Sequence, residues 1–343
     1  MSGFSTKRIS NLLFYVYVLV TVSCCATTNN VNTGLDEGSL RCSSAFYELP
    51  VEIQKGGLDQ IKFLRYAKLY SDAFLKYESA CLISATKENL ADGVYDKLKH
   101  SIGAIFISDT DRELVCAATR VTNEYVITAR HCLIKRIIDR SNSSTVEYQK
   151  PESVTFSSID KPQNEIQALS FRFIDKGLST SDEALSDLND IVLIQLDDKK
   201  NSGSHYVSVG PDIPEGEYIL LVAPSLISLK YEQKENQNYW PNSMKFSRLQ
   251  GGQRIQSKNI DIDNLSNSSK DKCIYHGLPT YFGMSGAGLF VFLSSDVDSE
   301  FTPYLGGIHI RDGVNTSDTQ RECGTSEYNV CLLYTSPSPR DRG

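Results

Sequence analysis

The sequence predicts an all-β protein with a helical extension at its N-terminus. Two observations carry this. Nine short β-type apolar runs lie between Ser101 and Ile310, separated by polar, turn-rich segments. That is the pattern of an all-β sandwich or a pair of barrels. Helical spacing is confined to an earlier stretch, Leu58 to Ile83, which holds neither Pro nor Gly. With 343 residues, 40% apolar and 22% charged, the chain can bury a large core in one or two domains.

In chain order, residues 1–26 read as a secretory signal. Lys7 and Arg8 form its basic part, Leu12 to Val22 its apolar part, and Cys24 with Ala26 a small-residue cleavage site. The apolar run is short for a membrane span, which needs about 20 residues. An uncleaved signal anchor is the alternative, and Thr21-Val22-Ser23 is a poor approach for lipid attachment at Cys24. The expected location is extracellular, or periplasmic in a bacterium, with no stable membrane association. Residues 27–56 are polar and read as a flexible lead-in. In the helical stretch, Ile61, Leu64, Ala67, Phe74, Leu75 and Leu82 form one apolar stripe. Residues 27–97 are therefore expected to be a propeptide or an N-terminal extension with one amphipathic helix.

The β-type runs follow: Ser101–Ser108, Leu114–Ala118, Tyr125–Thr128, Val154–Phe156, Ile166–Ile174, Ile191–Leu196, Tyr218–Ala223, Gly288–Leu293 and Tyr304–Ile310. The chain closes on Ser-Pro-Ser-Pro and a few charged residues. This stretch cannot be helical, and residues 335–343 read as a non-native tail.

Leaving out residues 1–26, which hold Lys7 and Arg8 and no acid, takes the formal charge from −7 to −9. So acidic a chain, without a Lys/Arg cluster among aromatics, is a poor nucleic-acid binder. Seven cysteines follow the signal: Cys42, Cys81, Cys116, Cys132, Cys273, Cys323 and Cys331. In an exported chain they favour disulfides with one left over. Cys273 and Cys323 bracket the segment around Ser285 and are a guessed pair. No CxxC or HExxH spacing points to a metal site, and no cofactor is expected. Sequons at Asn142, Asn264, Asn267 and Asn315 suit glycosylated surface loops in a eukaryotic host.

Three strings carry reactive residues in one order. VITARHC holds His131, NDIVLIQL holds Asp190, and GMSGAG holds Ser285. Each reactive residue sits at the edge of an apolar, strand-like run. A hydroxyl nucleophile needs a base to take its proton, and that base needs a carboxylate to fix its tautomer. The three strings supply one residue for each role. Asp187 is the fallback carboxylate.

The strings resemble the His, Asp and Ser boxes of the chymotrypsin-like (trypsin-like) serine proteases, in that family's order. The likeness covers roughly residues 98–334. It implies two six-stranded antiparallel β-barrels with the active site in the cleft between them. It also implies that His131 is the general base, Asp190 the buried orienting carboxylate and Ser285 the nucleophile. The Gly283 and Ser285 amides would form the oxyanion hole, and a Cys116–Cys132 bridge would clamp the turn holding the imidazole. An α/β-hydrolase elbow is excluded on two counts. Ala287 stands where its motif has Gly, and Gly288 to Phe292 reads as a strand rather than a helix.

Two departures inform the reading. Arg130 stands where relatives usually carry Ala, and its head is expected to reach solvent. Met284 stands where digestive and clotting relatives carry the Asp that pairs with a new N-terminal ammonium after activation. Methionine cannot make that pair, so activity is expected not to depend on it. This departure moves the resemblance toward the glutamyl endopeptidase (V8-like) branch, where a pocket His and Thr bind an acidic side chain. Thr280 and His309 occupy the matching places, Arg311 adds positive charge, and Pro279 stands where trypsin itself carries Asp. An imidazole donor suits a carboxylate better than an apolar group. An apolar or unspecific pocket stays open.

The expected function is a secreted serine endopeptidase working through an acyl-enzyme on protein or peptide substrates, with protein inhibitors as further partners. The rival is a non-catalytic protease homologue acting as a binding or scaffold module.

Overall fold

The structure is a computed structural model. It describes residues 42, 44–45, 48–49, 71–88, 90, 92–109, 112–133, 135–138, 146–149, 151–162, 164–173, 189–198, 206–210, 219–225, 230–231, 239–240, 244–247, 273–276, 278–280, 284–293, 302–311, 323 and 329–333. The signal sequence, the four sequons, Asp187, Gly283 and the tail at 335–343 lie outside the described residues. Among the described residues, no helix is long and apolar enough to cross a membrane.

Helix α1 runs Ser71–Cys81, and the expected helix over residues 58–70 lies outside the described residues. Asp72 in its first turn suits the positive end of the helix dipole. The helix stops earlier than its apolar spacing predicts. Leu82–Ser84 forms a short strand, β1, instead. A second helix, α2 (Asp92–Ser101), has no counterpart in the sequence reading and spans the expected domain boundary near residue 97. It buries Val94 and Leu98, one turn apart, and sets Lys99 and His100 against Asp160.

Strands β2 (Ile102–Asp109), β3 (Arg112–Arg120) and β4 (Tyr125–Ala129) follow. Next come a short hairpin of β5 (Lys135–Ile138) and β6 (Val146–Gln149), then β7 (Ser153–Ser158), β8 (Ile166–Phe173) and β9 (Ile191–Leu196). Six of these close into an antiparallel barrel in the order β2-β3-β4-β9-β8-β7. Closure removes exposed sheet edges. It also forces close contact at Gly103, where a Cβ would lie 2.2 Å from the Ser157 carbonyl oxygen. The barrel interior is filled by Ile105, Val126, Phe156 and Ile194, all fully buried.

The later strands are β10 (Ile219–Pro224), a two-stranded ribbon of β11 (Lys230–Tyr231) and β12 (Tyr239–Trp240), β13 (Met244–Ser247), β14 (Cys273–His276), β15 (Gly288–Leu293), β16 (Thr302–Arg311) and β17 (Asn329–Leu333). Six of them form one antiparallel sheet, and β1 adds a seventh strand at its edge, giving β1-β13-β10-β15-β16-β17-β14. The six strands expected of the second half are therefore present, and the N-terminal extension contributes one more. Three disulfides are formed: Cys42–Cys81, Cys116–Cys132 and Cys273–Cys323. Among the described residues, Cys331 is the cysteine outside a disulfide, and it is buried.

Candidate active site

His131 lies in a single 3-10 turn, Arg130–Cys132, that ends strand β4. Two constraints hold this turn. Cys132 is bridged to Cys116 on β3. Asp190, immediately before β9, grips the turn from the other side. Its Oδ1 accepts the His131 backbone N–H at 2.7 Å, and its Oδ2 lies 2.7 Å from His131 Nδ1. The Asp190 carbonyl also accepts the Arg130 N–H at 3.2 Å. β4 and β9 are direct partners, with Ala129 opposite Ile191, so sheet pairing alone brings the two boxes together across 59 residues.

An ionised carboxylate only accepts hydrogen bonds. The proton on His131 is therefore on Nδ1, leaving Nε2 as the basic nitrogen. Both side chains are partly exposed, His131 at 29% and Asp190 at 16%, so the imidazole edge can reach a ligand. Arg130 departs from expectation. It is buried at 3% exposure rather than reaching solvent, because the turn between its disulfide and Asp190 directs this residue inward.

Ser285 begins the turn that leads into β15, and it is half-buried. Its carbonyl accepts the Ala117 N–H of the first barrel at 2.9 Å. Ala117 is next to the bridged Cys116, so one hydrogen bond and one disulfide connect the Ser285 turn to the His131 turn. Gly286 adopts φ 85°, a region that disfavours side chains. A Cβ there would also meet the Ala117 carbonyl at 2.1 Å and Thr128 Oγ1 at 2.2 Å. The glycine that follows Ser285 is thus required twice, by its backbone angle and by the barrel it touches. On the other side, Gly286 N–H donates to the His309 carbonyl at 2.8 Å, and His309 N–H donates to the Ala287 carbonyl at 2.9 Å. Strand β16 therefore flanks the turn directly.

Of the residues expected to line a substrate pocket, Thr280 and His309 are buried, and Arg311 is half-buried beyond a bulge in β16. Two further groups that the sequence did not single out lie beside His309. His276 packs its ring 5.8 Å from that of His309, and its Nε2 lies 3.2 Å from Cys331 Sγ. The only sequence signal was a histidine ending a short apolar run, CIYH.

The ligating atoms of His276, His309 and Cys331 lie within 4.8 Å of one another, a spacing that on distance alone would suit a metal ion. The Leu278 N–H donates to His276 Nδ1 at 3.3 Å, which puts the ring proton on Nε2, facing the sulfur. A ligating imidazole needs the reverse, a bare nitrogen inward and an N–H outward. Burial also pushes the Cys331 thiol well above its ordinary pKa, which favours S–H over thiolate. The cluster fits a buried hydrogen-bonded seam better than a metal cage.

A closed antiparallel barrel with a His–Asp pair, next to a second antiparallel sheet with the serine turn, is a chymotrypsin-like, protease-like fold. No family model matches the chain, and no curated protein matches it. Among solved structures it is similar to protease Anisep from Arthrobacter nicotinovorans. Identity is 14% over 70% of this chain and 92% of that one, with a TM-score of 0.42. It is similar to a Glu endopeptidase in complex with MPD, at 13% identity over 75% and 92% of the two chains, TM-score 0.42. It is also similar to neuropsin, a serine protease of mouse brain, at 18% identity over 69% and 90%, TM-score 0.40.

Proposed function

We propose that the protein is a secreted serine endopeptidase. The observation that carries this reading is the double grip of Asp190 on His131, at the backbone N–H and at Nδ1, both 2.7 Å. A carboxylate placed so fixes the tautomer a general base needs and stabilises the imidazolium that forms. In this reading Ser285 attacks the scissile carbonyl while His131 Nε2 takes the hydroxyl proton. The Gly283 and Ser285 amides hold the developing oxyanion, an interaction typically worth about 3 kcal/mol per donor. The tetrahedral intermediate collapses as His131 returns the proton to the leaving amine. Water then hydrolyses the acyl-enzyme by the same base. No cofactor enters these steps.

The reading extends to an acidic residue on the acyl side of the cut. Thr280, His309 and Arg311 supply donors on the segments flanking Ser285, and His276 supports the His309 ring from behind. The test is a peptide set differing only at that position, assayed with wild type, His309→Leu and Ser285→Ala. Preferential cleavage after Glu or Asp, lost in His309→Leu, supports the pocket assignment. Equal cleavage after Leu or Phe removes it and leaves the endopeptidase. Turnover that survives Ser285→Ala removes the catalytic assignment. Absence of turnover in folded wild type returns the chain to a binding module.

A further inference from the structure

Helix α1 and strand β1 belong to the extension that precedes the protease-like region, yet they are built into the second sheet. β1 pairs with β13 in full register, Leu82 with Ser247 through Ser84 with Lys245. The Ala85 N–H then donates to the Met244 carbonyl at 3.0 Å. Glu78, 2% exposed, accepts the Ser225 hydroxyl at 2.9 Å, and Ser225 directly follows β10, the neighbour of β15. The buried Tyr77 hydroxyl donates to the Thr280 carbonyl at 2.6 Å. Tyr77, Cys81 and Leu82 share one apolar cluster with Leu278, Met284, Ala287 and Leu289. Met284, 1% exposed, is the residue beside Ser285. The cluster thus reaches from the extension to the nucleophile turn.

We propose that residues 71–84 are a permanent positioning element, in which Tyr77 holds the Thr280 carbonyl and thereby fixes the segment that carries Thr280 and Ser285. Two linked observations support it: a buried hydrogen bond from helix to pocket segment, and an apolar core that packs Met284 against the helix. An ionic switch at this place needs a carboxylate beside the serine. Here Met284 is buried in one apolar cluster with Tyr77 and Cys81 of the helix, so the turn is set on folding and needs no later cut. Tyr77 is a positioning residue, since it acts through Thr280 and the 278–287 segment. The catalytic consequence rests on the serine endopeptidase reading; the structural one does not.

The experiment compares full-chain wild type with Tyr77→Phe, which keeps the ring and removes the hydroxyl. Two readouts are taken: hydrogen exchange of amides in 278–287, and the fluorophosphonate labelling rate per folded molecule. Losing this one buried hydrogen bond predicts about tenfold slower labelling. Faster exchange confined to 278–287 is expected with it. Unchanged exchange and labelling alongside a lower thermal midpoint would overturn the proposal and leave Tyr77 a stability residue. Should wild type fail to label, the endopeptidase reading falls, while the exchange readout still decides whether Tyr77 positions the segment.

A second arm introduces a cleavage site in the exposed turn at Lys87–Glu88 of the full chain. After the cut, the piece ending at Lys87 is expected to stay with the rest through gel filtration, with the exchange of 278–287 unchanged. Release of that piece with unchanged exchange in 278–287 would overturn the proposal. Release with faster exchange there would support the positioning role.

Discussion

The two halves of the molecule hold their functional groups by different means. The first barrel is closed by its own six strands. Its His131–Asp190 pair is set by adjacent strands β4 and β9, one disulfide and three hydrogen bonds from the turn to Asp190. The second sheet carries Thr280 and Ser285 on a connection between β14 and β15 and His309 on β16, and it draws support from outside itself. The first barrel lends it Ala117, and the extension lends it β1, Tyr77 and Glu78. A pair fixed by neighbouring strands needs little else. A serine on a turn needs neighbours on every side, because loop backbone has few ladder bonds of its own.

The largest expected effect tests whether the first barrel acts through the His–Asp pair. Asp190→Asn keeps the shape but presents an amide to Nδ1, which favours the wrong tautomer. Turnover should fall by about 10⁴-fold with the thermal midpoint little changed. A loss below tenfold would mean that the pair does not set the base.

The next asks whether the first barrel is rigid on its own account. Arg120 and Asp198, both 3% exposed, form an ion pair at 2.8 Å inside it, and the Arg120 guanidinium lies 5.4 Å over the Phe156 ring. Arg120→Met strands a buried carboxylate and should destabilise by about 3–5 kcal/mol, read from the urea midpoint. Exchange in the α1 region should be less affected than exchange in β2, β3 and β7.

The junction between the halves is tested by Gly286→Ala. The positive φ costs about 1–2 kcal/mol, and the contacts with Ala117 and Thr128 add to it. Labelling at Ser285 should slow by more than the stability loss accounts for. Equal labelling per folded molecule would mean that the turn tolerates movement.

The smallest effect is at the surface. Lys99 donates to Asp160 at 3.1 Å, and that hydrogen bond raises the lysine pKa over the opposing pull of burial. A raised folded-state pKa stabilises the protein while the ammonium is charged. The contribution is present below the ordinary lysine value and is lost as pH rises through the folded-state one. Both groups are partly exposed, so Lys99→Met should cost only about 0.5 kcal/mol at neutral pH. The difference from wild type should vanish in strong alkali.

Legibility in the sequence follows the same division. β9 and β15 coincide with the expected runs because each is a continuous apolar strand buried among neighbours. The His131–Asp190 pairing was legible because each residue stands at the end of an apolar strand and β4 pairs with β9. The misses share one cause. β1 is three residues long and continues the helical spacing of α1, so only its pairing with β13, over 160 residues away, makes it a strand. α2 has just Val94 and Leu98 on its buried face, too few for a visible stripe. β14 and β17 are short, and the His276–Cys331 contact between them joins residues 55 apart. Tyr77 gave no local sign, since its partner is a backbone carbonyl 203 residues away.

The central claim is that Ser285 is an activated nucleophile served by His131 and Asp190. The most direct measurement is mass analysis of full-chain protein treated with a fluorophosphonate, wild type beside Ser285→Ala and Asp190→Asn. The account predicts one adduct on Ser285 in wild type, none in Ser285→Ala, and strongly slowed labelling in Asp190→Asn. Folded wild type with no adduct, or an adduct on another residue that persists in Ser285→Ala, would contradict it.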